Sequence, residues 1–188
     1  MPLTVRPVDA ALFDDVQTVL GDRGQAARCQ CQGYRLGWHD QHSPDVAGRR
    51  ELLRDQVAEG HGLLAHLDGE PVGWCSLSPR PHSTHLRKTT WAGRHEDRDD
   101  AGVWSVTCFV TRAGYRRRGV STALAAGTVD LARSHGARLV EAYPIQPAPG
   151  AEVTWGELHV GALTAFLAAG FEIVHRPSLR RVVVRHDC

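Results

Sequence analysis

The chain has 188 residues, 42% of them hydrophobic and 23% charged, which is the composition of an ordinary globular domain and is long enough for one good core. Basic and acidic residues nearly cancel to a formal net charge of +1, so the overall charge does not favour a nucleic acid or a membrane surface as the partner. We also expect no membrane span and no signal peptide, because no apolar stretch approaches the roughly 20 residues that a span needs and the first residues lack the layout of a leader.

The first part of the chain predicts a strand followed by two helices. Residues 3–8 form the strand, and Asp9 is expected to cap the first helix. That helix carries an apolar stripe at helical spacing, made of Leu12, Phe13, Val16, Val19 and Leu20. The second helix is predicted to begin with Ser43 as its N-cap and Pro44 in its first turn, and to stop at Gly60.

Three strands come next in the prediction. Residues 62–67 and 71–77 flank the pair Asp68-Gly69, which is a strong signal for a hairpin. A polar loop, residues 78–102, separates this hairpin from a strand at residues 103–111. Loops as long as this one are usually functional or mobile in compact domains.

The last part of the chain alternates helices and strands. The predicted elements are a helix at 122–134, a strand at 137–143, a short helix around Leu163 and Phe166 that ends at Gly170-Phe171, and strands at 172–175 and 180–185. The complete order is βααβββαβαββ, which predicts an α/β fold with a mixed central sheet and about four flanking helices.

The turn between the fourth strand and its helix is the most informative segment. It reads Arg116-Arg117-Arg118-Gly119-Val120-Ser121-Thr122, with the form Arg-x-x-Gly-x-small. A small-residue turn in this place points several backbone N–H groups at one anion, and the N-terminus of the helix adds about half a positive charge. The turn therefore predicts a ligand that carries phosphate.

The sequence resembles the GNAT superfamily of acyl-CoA-dependent N-acetyltransferases. The family's turn reads Arg/Gln-x-x-Gly-x-Gly/Ala, and Ser121 stands in the last place as another small residue. The strand at 105–111 and the ending Gly170-Phe171 look like the family's central strand and the end of its last helix. The resemblance covers nearly the whole chain, with the opening βαα region the most divergent, and implies a single GNAT-like domain over residues 1–188.

The resemblance implies acetyl-CoA as the co-substrate. Its pyrophosphate would bind the backbone of the turn, residues 116–122, and its pantetheine arm would run beside the central strand where two strands splay apart, at Phe109, Val110 and Thr111. His159 corresponds to the family's Asn that contacts the pantetheine. The resemblance further implies direct attack of an amine on the thioester within a ternary complex.

The catalytic groups are less well defined than the donor site. The family often has a Tyr acid on the last helix, but its place is taken by Phe166, which cannot donate a proton, so we consider Tyr143, Ser105, Cys108 or water instead. An alkylamine is mostly protonated near pH 7 and must lose a proton before it attacks. Glu141 is the first candidate for the base, because a carboxylate among apolar neighbours has a raised pKa. The alternative is that Glu141 forms an ion pair with an arginine.

Cysteines suggest two further interpretations. Cys29 and Cys31 could bind zinc together with Cys75, Cys108 and a histidine, but Cys-x-Cys is not the common zinc spacing and no second close pair exists, so we expect no metal. With Tyr34 and Trp38 they could instead form an acceptor wall, or they are simply small buried residues. An odd set of five cysteines suits the cytoplasm, and a single lysine among 22 basic residues suggests a GC-rich bacterial genome.

The acceptor is left open by the sequence. The long loop is either a substrate-facing lid or a solvated loop, and it carries His82, His85, His95, Asp97, Asp99 and Asp100. Trp104 either faces the acceptor or packs in the core. We expect a small-molecule amine or a protein lysine as acceptor, and homodimers are common among the proteins that the chain resembles.

Two other classes of function compete with an enzyme. One is an acyl-CoA sensor of the same fold without turnover, which the missing Tyr at Phe166 keeps open. The other is a nucleic-acid binder that uses Arg112, the arginines of the turn, Arg180 and Arg181. The near-neutral charge and the lack of a recognition motif argue against nucleic acid as a partner.

Overall fold

A seven-stranded mixed sheet forms the centre of the molecule, as predicted. The computed structural model describes residues 2–36, 44–86, 90–147 and 157–188. The strands are β1 Leu3–Pro7, β2 Gly62–Leu67, β3 Glu70–Pro79, β4 Val103–Thr111, β5 Leu139–Ala142, β6 Glu172–His175 and β7 Val183–Asp187. They lie in the order β1-β2-β3-β4-β5-β7-β6. β4 and β5 are parallel, whereas the other neighbouring strands in the described ranges are antiparallel.

More helices are present than the sequence predicted. They are α1 Phe13–Leu20, α2 Gly24–Cys29, α3 Gly33–Leu36, α4 Val46–Ala58, α5 Val120–Ser134 and α6 Leu163–Ala168, together with 3-10 turns at Ala10–Leu12, Arg80–His82 and Glu157–Val160. The short α2 and α3 were missed because their segment is polar and carries no apolar stripe. None of the described helices is long and apolar enough to cross a membrane.

The ends of the predicted elements are partly wrong. Asp45, and not Ser43, caps α4, since its side chain accepts a hydrogen bond from the N–H of Gly48 at 2.8 Å. Ser43 itself lies outside the described residues. Asp9 caps the first 3-10 turn as predicted, and its carboxylate accepts from the N–H of Ala11. The last strand begins at Val183 and therefore three residues later than predicted.

Different helices pack on the two faces of the sheet. On the α5 face, α5 packs against apolar residues of the central strands, including Leu63, Ala65, Cys75, Val106, Phe109, Val140 and Ala142. On the α1 face, α1 and α4 cover Leu64, Trp74 and Cys108. Residues alternate between these faces along each strand, so Ser105, Glu141 and Tyr143 point to the α1 face. Their polar groups are thus kept out of the α5 core.

A bulge and an early strand end shape the middle of the sheet. Ser76 pairs with Cys108 but Leu77 pairs with Val106, so Thr107 is an extra residue in β4. β5 pairs with β4 only as far as Val106 and Ala142. The chain after β5 then turns away to Ile145, which bridges to the segments before α6 and β7. Within the described ranges, the later half of β4 therefore has no paired strand on this side, and the 3-10 turn Glu157–Val160 packs beside it. We call the region between this half of β4 and the chain that follows β5 the wedge.

Candidate functional site

The turn after β4 exposes a row of backbone donors. Arg117 and Gly119 both have left-handed backbone, with φ of 59° and 80°, and Gly119 is the N-cap of α5. Among the described residues, no backbone carbonyl accepts a hydrogen bond from the N–H groups of residues 117–122, and the first one in this region runs from Ala123 to Gly119. Left-handed residues in a turn that opens a helix make a concave set of N–H groups, which suits an anion.

Arginines surround this turn. Residues 116–119 are exposed. The guanidinium groups of Arg112 and Arg118 lie over the ring of Tyr115, at 5.3 and 5.6 Å from its centroid. Arg112 also donates to the carbonyl of Pro71 at 2.8 Å and lies 3.6 Å from Glu70. The residues at this turn fit a ligand with several phosphate groups.

The wedge beside β4 is lined by aromatic rings. Phe109 and Phe166 pack edge to face with centroids 5.3 Å apart, and Phe171 packs on the other side of Phe166 at 5.2 Å. Gly161 lies against both of the first two rings, so that a Cβ placed on it would be 2.7 Å from Phe166 and 3.1 Å from Phe109. Phe166 is fully buried. It therefore serves as core, and its expected contact with a bound ligand remains a prediction.

Two hydroxyl groups meet on the α1 face, close to where the wedge begins. The Ser105 and Tyr143 hydroxyls are 2.8 Å apart, and both side chains are fully buried. Burial first, and then the negative charge of Glu141, raise the pKa of Tyr143 well above its usual value. Tyr143 consequently keeps its proton at neutral pH and can donate a hydrogen bond.

Glu141 does not have the raised pKa that the sequence predicted. Its carboxylate accepts hydrogen bonds from Arg94 at 2.9 and 2.6 Å and from Arg185 at 2.8 Å, while Arg80 lies 3.7 Å away. Burial alone would raise the pKa of Glu141, but the hydrogen bonds and charge of Arg94, together with the charge of Arg185, lower it below its usual value. The alternative that the sequence left open, an ion pair with arginine, is what the structure contains.

The comparisons with known proteins point to one family. Residues 27–151, more than half of the chain, match the model of the Acetyltransferase (GNAT) family. The chain belongs to the GNAT acetyltransferase family. Its members use acetyl-CoA as co-substrate.

Solved structures of the family share the fold at low identity. The GNAT domain of PAT from S. lividans is 18% identical, with 98% of this chain and 89% of that one covered and a TM-score of 0.56. The Drosophila melanogaster polyamine N-acetyltransferase is 14% identical over the whole of both chains, with a TM-score of 0.58. Ribosomal-protein-alanine N-acetyltransferase from Brucella melitensis is 13% identical, covering 98% of this chain and 99% of that one, with a TM-score of 0.57. A search of curated proteins found no match.

The wall beside Tyr143 in this GNAT acetyltransferase comes from three segments. The ring of Tyr34, on α3, lies 6.5 Å from that of Tyr143 and 6.1 Å from that of His159. Arg181 donates to the Tyr34 hydroxyl at 3.3 Å and to the Tyr143 carbonyl at 2.8 Å. Tyr34 thus lies beside Tyr143, but its role in an acceptor wall stays a prediction, and Trp38 is outside the described residues.

Two cysteines meet in the core on the α1 face. Cys31 and Cys108 have their sulfur atoms 2.7 Å apart, and the indole N–H of Trp74 donates to Cys31 at 3.1 Å. Burial, followed by the nearby Cys31, raises the pKa of Cys29 to about 11. In the part of the chain that the structure describes, no three His, Cys, Asp or Glu side chains are arranged to hold a metal ion.

The long loop is fastened to the sheet at several points. Asp100 forms an ion pair with Arg138, and its carboxylate also accepts from the N–H of Gly102 at 2.9 Å. The N–H of His85 donates to the carbonyl of Tyr34 at 3.0 Å. Trp104 packs in the core on the α5 face, so its place is core packing and not the acceptor side. Arg87, in the same loop, lies outside the described residues.

Sequence reasoning missed Arg80, Arg94 and Arg185 as partners of Glu141. They lie 61, 47 and 44 positions away along the chain, so no local pattern links them to it. Arg94 stood in a loop whose many charges suggested a solvated surface. A tryptophan three positions earlier, Trp91, was the one available signal, because a large aromatic residue in a polar loop usually packs against something.

Proposed function

We propose that this acetyltransferase moves an acetyl group from acetyl-CoA to a primary amine, by direct attack within a ternary complex. The observation that carries the proposal is the row of N–H groups at residues 117–122, which donate to no backbone carbonyl of the described residues and lie at the end of a strand that runs beside the wedge. Donors for a pyrophosphate and a wedge for an extended arm lie on one line along β4. Arg116, Arg117 and Arg118 add positive charge for the phosphates, and Ser121 and Thr122 flank the first turn of α5.

The acceptor would reach the thioester from the α1 face. Among the described residues, the edge of β4 that faced β5 has no strand partner beyond Val106, and its backbone groups at Phe109, Val110 and Thr111 would bind an extended arm as in strand addition. Ser105 lies near the start of the same strand, and its side chain faces the α1 side of the sheet. An amine on this side would be oriented by the Ser105 and Tyr143 hydroxyls, whose oxygen atoms are 2.8 Å apart.

Ser105 and Tyr143 would orient the amine rather than remove its proton. Both are neutral hydroxyls at pH 7, and Tyr143 holds its proton strongly because burial and the charge of Glu141 raise its pKa. Glu141 is a poor base, since its pKa is lowered by its arginine partners despite burial. The amine therefore binds in its neutral form. The leaving thiol has a pKa of about 8.5 when free, so it departs without a strong acid.

The test is thiol release from acetyl-CoA across a panel of amines, with the mass of the product measured for each active amine. We expect acetylated product from at least one class, initial-rate lines that intersect, and a fall in kcat of at least about tenfold for Ser105→Ala and for Tyr143→Phe. Ser134→Ala, at the far end of α5, is the matched control and should keep full activity.

Three other outcomes would each contradict one part of the proposed function. Heat protection by acetyl-CoA without thiol release on any amine would make the chain an acyl-CoA sensor. Parallel initial-rate lines, with acetyl trapped on the protein, would replace direct attack by a covalent intermediate. Unchanged kcat in both hydroxyl variants would remove Ser105 and Tyr143 from the reaction.

A further inference from the structure

A buried charge cluster lies directly behind the Ser105–Tyr143 pair. Four residues pair in register across the sheet on the α1 face: Ser78, Ser105, Glu141 and Arg185. Glu141 is fully buried in the middle of this row. A buried carboxylate is costly unless it is fully hydrogen-bonded, so its partners hold it in one place.

Arg94 is the strongest of these partners. Its guanidinium group makes a two-pronged contact with both oxygens of Glu141, at 2.9 and 2.6 Å, and its side chain is only 4% exposed. Paired contacts of this kind fix direction as well as distance. Arg185 reaches only one of the oxygens, and Arg80 stays 3.7 Å away without a hydrogen bond.

The loop delivers Arg94 in a fixed position. The guanidinium group of Arg94 lies 4.0 Å from the ring centroid of Trp91, which is itself buried. The backbone N–H of Arg94 donates to the backbone carbonyl of Trp91 at 3.1 Å. Glu96 bonds both Arg94 and Arg185, and thereby joins the loop to β7. The loop segment at 90–96 is therefore part of the wall of the site rather than a detached surface loop.

We infer that Arg94 is a positioning residue for the proposed transfer: it fixes the carboxylate of Glu141, which lies in register with Ser105, and so keeps its charge beside the Ser105 and Tyr143 hydroxyls. The inference rests on the proposed function. The charged and titratable groups that face Glu141 in the described residues are Arg80, Arg94 and Glu96 from the loop between β3 and β4, Arg185 from β7 and Tyr143 from just after β5, while β4 places the neutral Ser105 against it. Loss of Arg94 leaves a buried carboxylate with poorer partners, so that it takes up a proton at higher pH and its negative charge no longer acts on the Ser105 and Tyr143 hydroxyls.

The experiment compares Arg94→Met, Arg94→Lys and Arg98→Met in the full-length chain. Arg98 comes from the same loop and also lies over Trp91, at 5.4 Å, but its side chain makes no bond to Glu141 within the described residues. We expect Arg94→Met to lower kcat by about ten- to a hundredfold with the KM for acetyl-CoA within about twofold. A new acid limb should appear in its kcat profile, because Glu141 now titrates nearer neutral pH. Arg94→Lys should recover part of the loss, and Arg98→Met should behave as wild type.

Two further measurements separate positioning from a general role in folding. In the double variant Arg94→Met/Glu141→Gln, the new acid limb should vanish and kcat should equal that of Glu141→Gln alone, because both changes act through one carboxylate. Additive losses, or equal losses in Arg94→Met and Arg98→Met, would overturn the inference.

Carbon NMR of the Glu141 carboxyl, assigned with Glu141→Gln, tests the same link without turnover. We expect its titration to move to higher pH in Arg94→Lys and further in Arg94→Met. An unchanged titration overturns the inference whether or not the wild type is active. A shifted titration in a chain that acetylates no amine would uphold the Arg94–Glu141 link while the proposed function fails.

Discussion

Replacing Gly161 with alanine tests whether the aromatic lining of the wedge is rigid. Gly161 has φ of +85°, where an L-residue costs roughly 1–2 kcal/mol. The new Cβ would lie 2.7 Å from one carbon of Phe166, 3.1 Å from another and 3.1 Å from Phe109. Phe166 is fully buried between two other rings and has no open side to move into. Overpacking of this kind costs about 1–3 kcal/mol more, which gives a total loss of about 2–5 kcal/mol.

Gly136→Ala is the matched control. Gly136 has φ of +76°, but a Cβ placed there meets nothing within 4 Å, so only the backbone cost of roughly 1–2 kcal/mol applies. Urea unfolding followed by tryptophan fluorescence gives both free energies of unfolding. The difference between the two variants isolates the contact with the rings, for which we expect about 1–3 kcal/mol.

Heat protection by acetyl-CoA is a second measurement that compares Gly161→Ala with Gly136→Ala. Gly136 is at the far end of α5 from the phosphate turn, so its variant should keep the full heat protection by acetyl-CoA. Gly161→Ala should keep less of it, because displaced rings narrow the wedge. Equal losses of stability in the two variants would show that the rings yield freely, and the reasoning about the wedge would then be wrong.

Three more predictions follow from single side chains. Phe166→Tyr should cost about 1–3 kcal/mol in urea unfolding, because it buries a hydroxyl among rings, and should not raise kcat in the thiol-release assay; a higher kcat would show that an acid was missing there. Arg117→Gly relieves a φ of 59°, so it should leave the free energy of unfolding unchanged or raise it by about 1 kcal/mol. The same change should raise the KM for acetyl-CoA severalfold. A loss of stability with an unchanged KM would contradict this prediction. Although burial opposes it, Arg94 and Arg185 lower the pKa of Glu96 to about 2, below its ordinary value of 4.5. The stability advantage of wild type over Glu96→Gln should therefore be complete above about pH 4.5 and shrink as the pH falls toward 2, and a gap that stays constant down to pH 3 would refute it.

Local patterns predicted the parts of this fold that depend on neighbouring residues. The turn at Asp68-Gly69 forms with both residues at positive φ, which is what that pair favours between two strands. β4 has the bounds that its apolar run predicted, and the phosphate turn follows it directly. In each case the information lies within a few residues of the structure that it determines.

The environment of Glu141 could not be predicted in the same way. Its strand and its face followed from alternation, but the sign of its pKa shift depends on arginines from a distant loop and from another strand. Burial and ion pairing act in opposite directions on a carboxylate. Only the distances decide between them, and distances between remote segments do not appear in a local pattern. The short helices α2 and α3 were missed for a related reason, since packing and not periodicity holds them.

The extra residue Thr107 divides β4 into two halves with opposite phase. Before it, Ser105 faces the α1 side and Val106 the α5 side; after it, Cys108 faces the α1 side and Phe109 the α5 side. Without the insertion, Phe109 would leave its place beside Gly161 and Cys108 would enter the α5 core. One inserted residue therefore resets the alternation of side chains between the two faces, so the two halves of β4 follow separate patterns. Under the proposed function, residues around Ser105 could change to suit a different acceptor while the half of β4 that ends at Thr111 kept its geometry for acetyl-CoA.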